Sequence, residues 1–289
     1  MGITDFRYSL RKLPFLYMCG SLMKIMTDNR LHLLQKFNHY HFFLTAFGKR
    51  NLFATLPRSG TNYIDLLLDV AYDLSKGGNG HYYYEGISWI RNYRLMLQID
   101  WRSVPYKNKI INTSHPFIFH THLPYNDIVS MQKKNMKTVV LVRDIYAQMT
   151  SRLFQTGFGI ERQDDFIDNR YFLSVIDFLN DWGRQVKRRE NCSFVRYEDI
   201  VKKPLETLRY LSNTWELYID DKFFLRAIDL CKRDIMLNKV PKADRDRNPR
   251  VAVRQYKFEE VFTRNNKQKI NKIIKNKLRY DFGYKYYSE

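Results

Sequence analysis

Cysteine is scarce: there are 3 in 289 residues, Cys19, Cys192 and Cys231, odd in number and far apart. No C-x-x-C pair occurs, which argues against a disulfide framework and against a zinc site. Reduced thiols in a cytoplasmic protein are the expectation. A membrane-spanning run is missing too. The stretch Leu13 to Met23 is interrupted by Pro14 and Gly20 and closed by Lys24. It is too short to cross a bilayer and forms no secretory signal pattern. No internal repeat and no long low-complexity segment is present. Acidic residues fall well short of basic ones, 30 against 49, for a net charge of +19. Such an excess favours polyanionic partners: nucleotides, sulfated or phosphorylated glycans, nucleic acid or an anionic membrane face. The excess is concentrated from Lys232 onward, with seventeen basic residues against seven acidic.

What is present suffices for one large α/β domain with a sizeable core. Leu52 to Thr55 reads as a strand and Ile64 to Ala71 as a helix, stopped by the glycines of Ser75 to Gly80. Residues 81–112 mix aromatics and charges without a period and read as a variable, acceptor-facing region with short helical pieces. Phe117 to Leu123 is a strand closed by Pro124, followed by a helix from Asn126 to Lys134. Thr138 to Val142 is a continuous apolar run, the mark of a strand buried on both faces. Helices follow over Tyr146 to Phe154 and Tyr171 to Arg188, with a mobile loop expected over 156–169. Ser193 to Tyr197 is a further strand, Glu198 to Ser212 a loop and helix, and Lys222 to Cys231 a helix. Residues 238–255 read as a polar loop and Glu259 to Lys277 as one basic helix. Strands alternating with helices predict a central parallel sheet flanked by helices on both faces. Residues 1–50 read as an N-terminal helical segment packed on the domain, and residues 51–289 as a single domain. An amphipathic helix lying on a membrane face is the other reading of Leu33 to Leu44.

The stretch Leu56-Pro57-Arg58-Ser59-Gly60-Thr61-Asn62-Tyr63 lies between the first strand and helix. A strand, a tight turn and a helix N-terminus aim backbone N–H groups and the positive end of the helix dipole at one point, which suits a phosphate. Arg58 adds a forked cation, and Ser59 and Thr61 add hydroxyls. An ordinary βα turn would look the same. It is not a Walker A loop, because no Lys follows Gly60. Three further landmarks lie at strand ends. His122 has a side chain that can take a proton near neutrality, or it is a loop histidine with one hydrogen bond. Arg143 and Ser151 can grip one anion from a strand end and the next helix, or Arg143 pairs with an acid. Tyr197 stands before Glu198-Asp199-Ile200 and is either a ligand contact or a core tyrosine.

Together these motifs resemble the sulfotransferases that use 3′-phosphoadenosine 5′-phosphosulfate (PAPS), over about residues 51 to 263. Pro57, Ser59, Gly60, Thr61 and Asn62 match the family's P-K-S-G-T-[TN]-W loop, with Arg58 for its Lys and Tyr63 for its Trp. Thr121-His122-Leu123-Pro124 matches K-T-H-L-P, with His120 for the Lys. Arg143 and Ser151 keep the family's Arg–Ser spacing, and Tyr197-Glu198-Asp199-Ile200 is similar to Y-E-D-L. The resemblance implies a P-loop-NTPase-like architecture and sulfuryl transfer from PAPS to a hydroxyl or amine acceptor. It implies His122 as general base and Arg58 as charge stabiliser. Arg58, Ser59, Gly60, Thr61 and Asn62 would hold the 5′-phosphosulfate, and Arg143 and Ser151 the 3′-phosphate. Tyr63 and Tyr197 would meet the adenine. The family's C-terminal R-K-G loop has no clean counterpart, and Arg250 or Arg254 supplies its charge. No metal is expected, because a sulfuryl group carries less charge than a γ-phosphoryl group.

Two other classes stay open. A P-loop kinase would use Val139 to Asp144 as a Walker B strand but lacks the Walker A Lys-Ser/Thr pair. A polyanion or nucleic-acid binder would use Lys267, Lys269, Lys272, Lys275 and Lys277, though such runs are usually solvated faces. No nucleic-acid partner is expected. The acceptor is read as a carbohydrate or small metabolite, with peripheral membrane contact a further reading.

Overall fold

The computed structural model describes residues 51–85, 88–91, 95–98, 118–128, 136–155, 160–168, 170–241 and 257–286. The helix expected at Leu33 to Leu44 and the charges at Arg250 and Arg254 lie outside these residues. The core of the molecule is a five-stranded parallel sheet. Its strands are β1 (Asn51–Thr55), β4 (Met96–Gln98), β5 (Ile118–Thr121), β6 (Lys137–Val142) and β7 (Cys192–Arg196). They stand in the order β4-β5-β1-β6-β7. β1 pairs with β5 on one side, Phe53 opposite His120, and with β6 on the other, Phe53 opposite Val139.

The pattern follows from side chains that alternate across each strand. Leu52, Ala54, Val140 and Val142 join one buried cluster; Phe53, Val139 and Leu141 join another on the opposite face. Both faces of β1 and β6 are therefore apolar, and both must be covered. The first face is covered by α3 (Ile145–Gln155), α4 (Gln163–Asp168) and α5 (Arg170–Arg188), with α10 (Phe258–Val261) and α11 (Arg264–Lys277). The second is covered by α1 (Thr61–Ser75), α6 (Tyr197–Lys202), α7 (Pro204–Trp215) and α8 (Asp221–Leu230). The expected α/β class, with helices on both faces of a parallel sheet, is the observed one. The short helices α2 (Tyr125–Ile128) and α9 (Arg233–Asn238) complete the set among the described residues.

Three expectations need correction. Residues 81–112 hold no helix among the described positions. They form an antiparallel hairpin, β2 (Tyr82–Glu85) with β3 (Ser88–Arg91), and then β4 at the sheet edge. Asp69 on α1 fixes that edge by accepting the Leu95 N–H at 2.7 Å. The loop expected over 156–169 contains a 3₁₀ turn at Ile160–Arg162 and then α4, whose Phe166 is fully buried. The basic C-terminal helix is two helices. Thr263 caps α11 by accepting the Asn266 N–H.

β5 and β6 lie on opposite sides of β1, so the chain passes from one flank of β1 to the other between them. The C-terminal end of β1 lies at this reversal, where open α/β sheets bind their ligands. The ends of β1, β5, β6 and β7 carry Thr55, Thr121, Val142 and Arg196, and the candidate site residues follow directly after each.

Candidate active site at the carboxyl ends of the strands

The turn after β1 is held from below. Ser59 N–H donates to Leu56 C=O at 3.2 Å, and the Gly60 carbonyl accepts the first helical bonds from Tyr63 and Ile64. Gly60 has φ +87, a left-handed conformation that favours glycine. A Cβ there would lie 2.3 Å from Cδ2 and Cε2 of Tyr197. Glycine is thus required twice, by its dihedral and by the ring upon it. Arg58 is also left-handed, φ 70, an uncommon conformation for a residue with a Cβ. The turn's carbonyls face protein donors. Gln148 Nε2 donates to Pro57 C=O at 2.9 Å and Arg143 Nη1 to Arg58 C=O at 2.7 Å.

Arg58, Arg143 and Ser151 form one cluster, because Arg58 Nε also donates to Ser151 Oγ at 3.1 Å. The Arg143 guanidinium lies over the Tyr197 ring, 4.6 Å from its centre. Arg58, Arg143 and Ser151 are therefore brought together beside the turn after β1. Ser59 Oγ and Arg143 Nε are buried with no hydrogen-bond partner among the described residues. Leaving such donors unsatisfied costs about 1–3 kcal/mol each, more for a charged group. A bound oxyanion would supply acceptors, so the donor set fits a phosphate or sulfate group.

The histidines sit on the other side of β1. His122 Nδ1 lies 2.8 Å from the Thr55 carbonyl oxygen. A carbonyl only accepts, so Nδ1 carries the proton and Nε2 is the ring's acceptor nitrogen. Thr55 Oγ1 is a hub: it receives the Thr61 hydroxyl at 2.9 Å and lies 2.9 Å from His120 Nε2 and 3.1 Å from His122 Nδ1. The two imidazoles meet edge to face, centres 4.6 Å apart. His122 is framed by its neighbours. Thr121 Oγ1 accepts the Leu123 N–H at 3.0 Å, and Leu123 C=O accepts from Trp182 of α5 at 3.1 Å. The ring is thus fixed through Nδ1 at the end of β1.

Tyr63 is partly buried on α1. Burial, then the neighbouring Cys231 and Tyr197, push its phenol above the usual value. Asn62 is exposed at the helix start. Asp144 follows Arg143 and caps α3 by accepting the Ala147 N–H at 2.8 Å. Burial raises its carboxyl above the usual range, the Ala147 hydrogen bond opposes this, Glu198 adds to it, and the Tyr286 hydrogen bond and the nearby Arg143 charge oppose it. Among the described residues no group of three His, Cys, Asp or Glu is placed to hold a metal ion. No helix there is long and apolar enough to cross a membrane. Sequence reasoning missed Thr55 and Gln148, because a threonine ending a strand and a glutamine in a helix carry no motif of their own.

The fold is that of an α/β protein with a donor-rich turn at the end of its central strand. A sulfotransferase domain model matches residues 49–281, and the chain belongs to that family. Among solved structures, mouse sulfotransferase SULT7A1 complexed with PAP is similar at 15% identity and TM-score 0.57, covering 81% of this chain and 86% of that one. Retinol dehydratase in complex with retinol and PAP is similar at 15% identity and TM-score 0.52, covering 81% and 82%. An Arabidopsis thaliana putative steroid sulphotransferase is similar at 14% identity and TM-score 0.51, covering 83% and 82%. No curated protein sequence matches the chain.

Proposed function

We propose that this sulfotransferase moves a sulfuryl group from PAPS to a hydroxyl or amine on a carbohydrate or small metabolite, with His122 as general base. The observation that carries the reading is the His122 ring. Its Nδ1 proton is committed to the Thr55 carbonyl, at the end of the same strand that feeds the phosphate turn. In this tautomer Nε2 is the ring's basic atom, which in this reading faces the acceptor. The donor, when bound, supplies the sulfuryl group and departs as the bisphosphate PAP. His122 Nε2 takes the acceptor proton as sulfur bonds to the acceptor oxygen or nitrogen and its bond to the 5′-phosphate oxygen breaks. Arg58 and the turn N–H groups offset charge building on the departing phosphate oxygen. Ser59, Gly60, Thr61 and Asn62 would line that end, with Ser59 Oγ a buried donor that has no acceptor among the described residues.

Arg143 and Ser151 would grip the 3′-phosphate, with Arg250 adding charge. Tyr63 and Tyr197 would offer ring faces to the base. Catalysis is then positioning and charge stabilisation, with no step that needs a metal. Two solved structures of the same fold are complexes with PAP, one of them also with retinol, a small hydroxylated molecule. These favour a small-molecule acceptor. We read residues 51–289 as a single catalytic domain in the cytoplasm, in keeping with the buried Cys192 and Cys231, neither of them in a disulfide.

The test is transfer of labelled sulfate from PAPS across a panel of phenols, alcohols, amines and glycans, with and without a chelator. The native chain should label at least one acceptor with the chelator present. His122→Ala should lower the rate about 10²–10⁴-fold while PAP still binds. Turnover retained in that variant removes His122 from the base role.

A further inference from the structure

The segment 278–286 packs where β6 and β7 lead into the helices α3 and α6, next to Arg143 and Tyr197 in the chain. Tyr284 Oη donates to Glu198 Oε2 at 2.5 Å. Tyr286 Oη accepts the Ile145 N–H at 2.8 Å and hydrogen-bonds to the Asp144 carboxyl. The other Glu198 oxygen accepts the Asp144 N–H at 3.3 Å. The two phenol rings stack on each other, centres 5.7 Å apart, and Tyr286 also packs edge-on against Tyr146. Phe282 meets Phe194 of β7, and the Arg196 guanidinium lies over the Tyr284 ring. The segment adopts unusual backbone to reach this position: Phe282, Gly283 and Lys285 have φ of 52, 84 and 55. Left-handed conformations at non-glycine residues persist only where the surroundings fix them.

The carboxylates it holds are not ordinary surface acids. Asp144 follows Arg143 in the chain, and Glu198 follows Tyr197, whose ring supports the Arg143 guanidinium. Arg143 Nε is buried without an acceptor among the described residues. Asp144 thus adjoins in the chain a cation with an unfilled donor, and Glu198 is joined to Asp144 through its N–H. A carboxylate able to swing would pair with that cation and compete with any phosphate. Burial, reinforced by Glu198, keeps the Tyr284 phenol protonated, so it remains a donor at any ordinary pH. The Tyr286 phenol is raised chiefly by burial as well.

We infer that Tyr284 and Tyr286 are positioning residues for nucleotide recognition, tying Glu198 and Asp144 away from Arg143 so that its guanidinium is kept for the 3′-phosphate of the donor. This rests on the sulfotransferase reading above and goes beyond it, by giving the C-terminal segment a part in donor selectivity. Neither tyrosine touches the nucleotide in this scheme.

Calorimetry on the full chain separates the inference from its premise. PAP and AMP are titrated into the native protein, Tyr284→Phe, Tyr286→Phe and the double variant. The native chain should prefer PAP over AMP. The double variant should lose about fivefold or more of that preference, while its AMP affinity stays within about twofold, the size expected when an anion competes for one guanidinium. Adding Glu198→Gln to Tyr284→Phe should restore the preference, because the amide keeps an acceptor for the Asp144 N–H and cannot pair as a charge. Glu198→Gln alone, which spares both tyrosines, should leave the preference intact or raise it. A native preference unchanged in the double variant overturns the inference alone. PAP and AMP affinity falling together with Tm overturns it in favour of a merely structural role, as does a loss of preference in Glu198→Gln. A native chain with no preference for PAP removes the donor assignment itself, and the inference with it.

Discussion

At the residue scale, Thr55 joins the two halves of the candidate site. Its carbonyl fixes the His122 tautomer, and its hydroxyl links Thr61 on the phosphate side to His120 on the histidine side. Thr55→Val keeps the shape and the carbonyl but removes the hub. The expected outcome is a fall in kcat of about tenfold, the worth of a buried hydrogen bond or two, with the KM for PAPS little changed; steady-state kinetics check this. Gly60 carries a different burden. Gly60→Ala adds a Cβ 2.3 Å from the Tyr197 ring at φ +87. It should lower stability by about 1–3 kcal/mol, read as a shift in the denaturation midpoint, and weaken PAP binding. Asp144 supplies a pH signature. Its folded carboxyl is raised above the unfolded value, so the fold favours the neutral form. Stability should therefore be lost as pH rises from about 4 through the folded value, and Asp144→Asn should flatten that slope while keeping an acceptor for the Ala147 N–H. Urea denaturation at several pH values measures it; an unchanged slope in the variant would contradict the assigned cause. The site residues were legible only as members of motifs. Arg58, His122, Arg143 and Ser151 stand out by spacing, whereas Thr55 has no sequence mark and is found only through its partners.

At the scale of elements, legibility follows burial on two faces. Thr138 to Val142 reads as a strand because both of its faces are covered, and Leu52 to Thr55 does so for the same reason. The hairpin at Tyr82 fails the reading because its residues do not alternate in type. Tyr82 is 1% exposed and Tyr83 is 47% exposed, yet both are tyrosine, so period-two burial leaves no trace in hydropathy. β4 is only three residues long, too short for any period. In α4, Asp164 and Asp165 look like loop residues but occupy the first helical turn, where the dipole favours acids. The basic C-terminal stretch is broken at Thr263, whose hydroxyl accepts the Asn266 N–H at 3.3 Å. With Asn rather than Glu at the third helical position, the capping box is incomplete and the break is hard to see. Thr263→Ala should destabilise the protein by about 1 kcal/mol in chemical denaturation, without changing the KM for PAPS. A change in KM would place α11 nearer the nucleotide than its packing suggests.

At the scale of the whole molecule, the charge of +19 and the sheet order act together. The order β4-β5-β1-β6-β7 brings four strand ends to one side of the sheet. The motif residues that follow those ends, distant in sequence, are gathered there. The surplus of basic residues adds a long-range attraction for anionic ligands that salt should screen. A weak, salt-sensitive binding of nucleic acid would come from this general field; the 3′-phosphate preference would come from Arg143 and Ser151. The measurement that bears most directly on the donor assignment is calorimetric titration of the native chain with PAP and with AMP at physiological salt. The expected result is PAP tighter by about tenfold or more, the size of a charge-assisted contact to one phosphate. Equal affinity for the two nucleotides would contradict it.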